Sequence, residues 1–187
     1  RGPPRYIVFP FKTLFRSVEF ATTHNTKAQK YTVRVEINNG PSYILGDFKG
    51  DEVDVKVEKG AVTIVAAGDQ NYYLGEEIKL SGTNTESATT YLFIIGPNLP
   101  ANGGVLTQPL LAVTPVNTDT GNLVWNSVKA DVLADNTWSY KWGTSNIDLD
   151  AGTYTIYAVS QPYDKTSSWL AKAAYGTVSI IIKKPFV

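Results

Sequence analysis

Two acidic pairs are the first places in this chain where chemistry could sit: Glu76-Glu77 and Asp148-Leu-Asp150. A carboxylate hydrolase needs two acids converging in a cleft, one of them with a raised pKa. Glu76 and Glu77 are neighbours, so on a strand they point to opposite faces and cannot cooperate. Asp148 and Asp150 can share a face, but they lead directly into Gly152-Thr-Tyr154, where acidic turn residues are ordinary. As metal ligands, Asp148, Asp150 and Asp135 would give calcium only part of the roughly six to eight oxygens it takes. Calcium is the one cofactor left open. With no cysteine, no methionine and a single histidine, His24, thiol chemistry, soft-metal sites and any site built on two imidazoles are excluded. His24 itself reads as a surface or loop residue. No G-x-S-x-G, S-x-x-K, phosphate-binding loop or dinucleotide fingerprint occurs. The remaining candidates are aromatic, because indole and phenol rings can stack on sugars. Trp138, Tyr140 and Trp142 recur at every second position and so share one strand face, which in a sandwich is the core face. Trp169 with Tyr163, in a Ser-rich loop, and Trp125 are the candidates for contact with a ligand.

The elements that position these residues are strands. Eleven Tyr, seven Phe and four Trp, with abundant Thr, Val and Ile between Gly and Pro turns, are the composition of an all-β chain. The segment Asp148-Leu-Asp-Ala-Gly-Thr-Tyr-Thr-Ile-Tyr-Ala158 has the spacing of a tyrosine corner. There the hydroxyl of Tyr154 bonds back to the preceding loop, after the tight start at Gly152, and opens the sixth strand of an immunoglobulin-like sandwich. Around it we expect strands at Tyr72–Leu74, at Glu76–Gly82 with Ile78 and Leu80 inward, at Thr90–Ile95, and at Val105–Val113 as an edge marked by Pro109 and Pro115. Val124–Val132 and Thr137–Trp142 read as a pair turning at Ala134–Asn136. Thr153–Ser160, a mobile loop at Gln161–Ala171 with room for one helical turn near Ser167–Ala174, and a last strand at Ala174–Ile182 complete the set.

The first third reads as a smaller β module. Arg1-Gly-Pro-Pro-Arg5 is an extended leader, followed by alternating runs at Tyr6–Phe11, Leu14–Phe20 and Tyr31–Ile37 and a reversal at Asn38–Pro41. Val53–Val57 and Val62–Ala66 look like the arms of a hairpin turning at Lys59-Gly60. We place the domain boundary at Ala66/Ala67, giving residues 1–66 and 67–187. The halves carry opposite small charge excesses, ten basic against seven acidic residues and then seven against ten. The whole chain is neutral, which argues against nucleic acid as a partner. No run of about 18 apolar residues suggests a membrane-spanning helix. No Asn-x-Ser/Thr sequon is present. Arg1 and the abrupt end at Lys183-Lys-Pro-Phe-Val187 suggest a mature form or an excised piece of a larger protein.

Five segments carry a resemblance: Asn71-Tyr-Tyr-Leu-Gly-Glu-Glu-Ile-Lys-Leu-Ser-Gly-Thr-Asn84; Thr90-Tyr-Leu-Phe-Ile-Ile-Gly-Pro-Asn-Leu-Pro100; Trp138-Ser-Tyr-Lys-Trp142; Leu149-Asp-Ala-Gly-Thr-Tyr-Thr-Ile-Tyr-Ala-Val-Ser160; and Val178-Ser-Ile-Ile-Ile-Lys-Lys-Pro-Phe-Val187. In this order, over residues 69–187, they resemble an uncharacterised domain family of large surface proteins in methanogenic archaea, akin to S-layer components. The resemblance implies an exported, non-enzymatic protein of Ig-like modules, working among copies of itself or neighbouring domains. The expectation is therefore an all-β chain, an Ig-like β-sandwich preceded by a smaller β module, acting as a structural or adhesive part of a cell surface or envelope. The alternative is an extracellular carbohydrate-binding module using exposed aromatics.

Overall fold

The computed structural model describes residues 22, 26–36, 50–115 and 124–185. Among these, regular structure is β apart from one 3-10 turn at Leu170–Lys172. The chain divides into two compact units, 1–59 and 60–187.

In the first unit, β1 (Lys30–Glu36) pairs antiparallel with β2 (Gly50–Lys56), Tyr31 opposite Val55 and Val33 opposite Val53. Alternation puts these four on one face and charge on the other, where Lys30 meets Asp54 at 2.6 Å and Arg34 meets Glu52 at 3.4 Å. The expected strands at Tyr6–Phe11 and Leu14–Phe20, the reversal at Asn38–Pro41 and His24 lie outside the described residues.

The expected hairpin between Val53–Val57 and Val62–Ala66 does not form. The second arm crosses into the larger unit, where Thr63 N–H donates to Thr83 O and Ala67 N–H to Lys79 O, both at 2.9 Å. The boundary therefore falls after Lys59 and not at Ala66. The physical reason is burial. Val62, Ile64 and Ala66 become buried in the core of the larger unit, which a two-stranded hairpin cannot offer.

That larger unit is a sandwich of two sheets. The smaller has the order β10 (Thr137–Gly143), β5 (Glu77–Thr83), β3 (Val65–Ala66). The larger runs β4 (Asn71–Tyr73), β12 (Tyr175–Lys183), β11 (Gly152–Val159), β6 (Thr89–Ile95), β7 (Gly104–Val105), β8 (Gln108–Ala112), with β9 (Val128–Asp131) also on β6. The opening strands are shared between the sheets in the Ig-like manner: β3 lies antiparallel to β5, and β4 lies parallel to β12. A sharp crossing joins them, with Gly68 at φ 99° and Gln70 at φ 65°.

The core follows from alternation. Ile78, Leu80, Trp138 and Trp142 project from the small sheet against Leu92, Ile94, Tyr154, Ile156, Val178, Ile180 and Ile182 of the large one. Each such side chain contributes about 1.5–3 kcal/mol on burial. A second apolar layer covers the outer face of the large sheet. Phe93, Tyr157 and Val159 point outward there and are roofed by Trp125, Tyr163 and Leu170.

Two expectations about strand pairing are corrected. Val124–Val132 and Thr137–Trp142 do turn around residues 133–136, with Leu133 N–H on Thr137 O at 2.8 Å and Asn136 in the left-handed region at φ 64°. They do not pair with each other. β9 hydrogen-bonds to β6 and β10 to β5, so the turn is a switch between sheets. Trp138 and Trp142 can enter the interior only after that switch. The expected single strand at Val105–Val113 is a tight hairpin, β7–β8, irregular at Gly104/Val105.

Candidate functional site

Asp148 and Asp150 sit where the chain enters β11, beside a hollow of about 100 Å³ that Pro97, Asn98 and Leu110 also line. The tyrosine corner builds this place. Tyr154, 1% exposed, donates its hydroxyl to Asp150 O at 3.0 Å. Its ring packs so closely on the backbone at residue 96 that a Cβ on Gly96 would lie 2.2 Å from it. Gly152 lies alongside Pro97 and the same ring. Burial, and then the nearby Asp150 charge, push the Tyr154 hydroxyl pKa up.

The carboxylate of Asp150 is already engaged. Lys184 Nζ donates to Oδ1 at 2.9 Å and Asn98 Nδ2 to Oδ2 at 3.3 Å. These two hold its pKa below the ordinary 3.8, Lys184 contributing most. Asp135 is at the other end of the sandwich. It precedes β10 and Asp148 follows it, so a seven-residue strand, about 20 Å long, separates them. Its Oδ1 accepts the Thr137 hydroxyl at 2.7 Å and the Thr137 N–H at 3.0 Å, which lowers its pKa and makes it a turn residue. The three expected calcium candidates are therefore not brought together. Among the described residues no group of three His, Cys, Asp or Glu side chains is placed to hold a metal.

The other acidic pair is equally local. Glu76 accepts the Tyr73 N–H at 2.9 Å, and Glu77 faces Lys141 at 3.4 Å. In the first unit, a groove of about 620 Å³ is lined by Lys30, Asp54, Lys56 and Glu58, whose charges pair among themselves.

The aromatics divide differently from expectation. Trp138 and Trp142 are 2% and 0% exposed, in the core. Trp125 and Tyr163, expected as ligand contacts, are buried at 4% and 7%. Trp125 meets Tyr91 edge-on at 5.6 Å and Phe93 at 6.2 Å, and its N–H donates to Val128 O at 3.2 Å. Tyr163 is buried deeply enough to raise its pKa. The reason is the second apolar layer: the two separate segments that carry them, before β9 and after β11, roof the outer sheet face. Trp169 alone of the three is exposed, at 43%, and one face of its ring is occupied by Lys172 Nζ at 3.9 Å. Trp125, Tyr163 and Trp169 therefore do not form a row of open rings. The loop at Gln161–Ala171 is pinned by Asp164, whose Oδ1 accepts the Thr166 N–H and hydroxyl at 3.0 Å.

Unpaired strand backbone lies at the outer edge of the small sheet, on β10, which the sequence did not single out. On β5, Lys79 O and Thr83 O face β3, so the alternate residues Ile78, Leu80 and Gly82 bond to Trp142, Tyr140 and Trp138 of β10. The N–H and C=O groups of Ser139, Lys141 and Gly143 therefore point away from the sheet, and no strand among the described residues pairs with them. The β8 edge is closed by contrast: the Asn126 amide accepts the Thr114 N–H at 2.7 Å and donates to Ala112 O at 3.0 Å, standing in for a peptide of a neighbouring strand. A legible signal existed in Thr137-Trp-Ser-Tyr-Lys-Trp-Gly143: an alternation with small or charged outward residues on a strand whose other neighbour nothing specifies.

No protein-family model matches the chain, and no curated protein matches it. Among solved structures it is similar to a crystallised tetra-tandem repeat from the extending region of a large adhesion protein, at 17% identity and a TM-score of 0.41. The match spans 83% of this chain and 32% of that one. At that distance the likeness assigns neither activity nor partner. No helix among the described residues is long and apolar enough to cross a membrane.

Proposed function

We propose that this chain is a non-catalytic structural module of a cell-surface or envelope layer, of the archaeal S-layer kind that its five sequence segments resemble, and that it works by assembly or adhesion outside the cell. The observation that carries the proposal is the open edge of β10 on a sandwich whose interior is filled. A regular seven-residue strand whose second side no described strand pairs is a template for another strand. Its inward residues, Trp138, Tyr140 and Trp142, belong to the core and hold it straight and in register. Lys141, the charge that would blunt such an edge, is neutralised by Glu77 at 3.4 Å. The occupant that fits is the same edge of a second copy, running antiparallel, because a strand paired with itself about a two-fold axis satisfies both rows of backbone groups.

Cysteine cross-linking tests this cleanly, since the chain has no cysteine of its own. Single cysteines replacing Ser139, Lys141 and Gly143 in turn should give a disulfide-linked dimer at the position where the two-fold axis falls. Directly opposed residues of such a ladder lie about 5.5 Å apart, within disulfide reach. Absence of dimer at all three positions, and in mixtures of the Ser139 with the Lys141 variant and of the Lys141 with the Gly143 variant, in a chain that remains folded, would refute β10 as the contact.

A further inference from the structure

Two strands carry the entry and exit of the larger unit, and they run side by side in the same direction. β4 follows the crossing from β3, and β12 ends at Lys183. Asn71 lies beside Ile181, Tyr72 beside Ile182 and Tyr73 beside Lys183, in parallel. Ile181 N–H donates to Gln70 O at one end of this patch and Leu74 N–H to Lys183 O at the other, both at 2.8 Å. Tension along the chain pulls β4 from its first residue and β12 from its last. In a parallel pair those pulls are opposed and lie along the strands, so every bond of the patch is strained together. An antiparallel hairpin pulled from adjacent ends opens one bond at a time.

We infer that the β4–β12 pairing is a shear clasp that sets the resistance of this module to tension. Tyr72 anchors β4 from the core side, 8% exposed with its hydroxyl donated to Ala67 O. Ile180 and Ile182 anchor β12 at 1% exposure each. The patch therefore cannot roll open without extracting core side chains. The second attachment of the entering chain is the stretch Ala61–Ala67 along β5 and the residues after it, bonded at Ala61, Thr63 and Ala67. Its regular strand is only two residues long, and in the clasp reading it yields first. A clasp of this kind matters only in a module under tension, so its role rests on the structural function proposed above.

Ile181→Pro is the specific perturbation. The Ile181 N–H faces β4, its side chain is 41% exposed, and its neighbours Ile180 and Ile182 make the bonds to β11. Proline there removes one clasp donor and leaves the core residues in place. Val124→Pro is the control, a proline at an exposed position outside the strands. Thr63→Pro probes the β3 attachment. The full chain is held by its two ends in a force-clamp instrument, and rupture rates are read at constant force. Ile181→Pro should rupture about fivefold faster than the parent, the rate equivalent of one net hydrogen bond. Val124→Pro should match the parent, and Thr63→Pro should change only an early, smaller extension.

A second experiment changes only the direction of pulling. With cysteine handles at Tyr73 and Lys183, its exposed last pair, the patch is pulled from adjacent ends and should open at clearly lower force than when pulled from the chain ends. Equal forces in the two geometries, or a main rupture governed by Thr63→Pro, would overturn the clasp while leaving a structural role standing. Weak rupture of the parent from its ends, no stronger than the Tyr73–Lys183 opening, would overturn the clasp and the tension-bearing role together.

Discussion

Trp142 and Trp138 offer a sharp test of how the sandwich is held. Both are on β10, both face the core, and both are essentially fully buried. Replacing either by Phe removes the same part of an indole, so the loss of apolar contact nearly cancels between the two variants. Their N–H groups differ. Trp142 Nε1 donates to Leu106 O at 2.8 Å, a bond from the small sheet to the β7–β8 turn of the large one. Trp138 Nε1 is buried without an acceptor. Trp142→Phe strands the carbonyl of Leu106, a fully buried residue, which costs about 1–3 kcal/mol. Trp138→Phe strands nothing and removes an unpaired donor. Trp142→Phe should therefore be less stable than Trp138→Phe by about 2 kcal/mol. For a unit of this size that is a gap of about 8 °C in Tm. Urea titrations followed by circular dichroism would read it as a lower midpoint at unchanged slope. Equal midpoints, or a costlier Trp138→Phe, would refute the assignment of the Trp142–Leu106 bond as a cross-sheet tie.

Tyr154→Phe removes the corner hydroxyl from Asp150 O and should cost about 1–1.5 kcal/mol in the same titration, since the exposed Asp150 carbonyl can turn to water. Gly96→Ala should cost more, about 1–3 kcal/mol, because its methyl would collide with the Tyr154 ring. On acidification, Asp150 and Asp135 both have folded pKa values held below 3.8. Their contribution is complete above that value and is lost as pH falls through the lowered ones, so stability should drop on going below pH 3.8. Asp150→Asn should flatten that limb, measured by midpoints at neutral and acid pH. Millimolar calcium should leave Tm within about 1 °C, because Asp150 is held by Lys184 and Asn98 and Asp135 lies about 20 Å away; a clear rise in a melting curve would contradict that geometry.

Much of the sandwich was legible because local patterns have local causes. Thr89–Ile95 is apolar enough to be central, and Ile78 and Leu80 alternate inward. The spacing from Asp150 to Tyr154 lets a hydroxyl reach back to a carbonyl, and it does. Pairing was harder to read. Alternation says that a segment is a strand but not which sheet will bury it, so Val62–Ala66 was joined to its sequence neighbour and β9 to β10. The aromatic sites show the same limit. Trp125 runs into Asn126-Ser127, and Tyr163 stands between Gln161-Pro162 and Asp164, as exposed residues do. Their burial comes from Phe93, Tyr157 and Val159 on the outer face of a distant sheet. Nothing in a single segment announces that such a face will be roofed. For the β10 edge the alternation of Thr137–Gly143 was the one signal, and it could not suffice, since an open edge is defined by the strand that is missing beside it.

The central claim is that this chain acts by associating with copies of itself. Light scattering and electron microscopy of the intact chain, with and without calcium, address it most directly. The account predicts ordered dimers, sheets or filaments in both conditions, lost when Lys141→Pro deforms the open edge. A monomer that persists at high concentration in both conditions would contradict it.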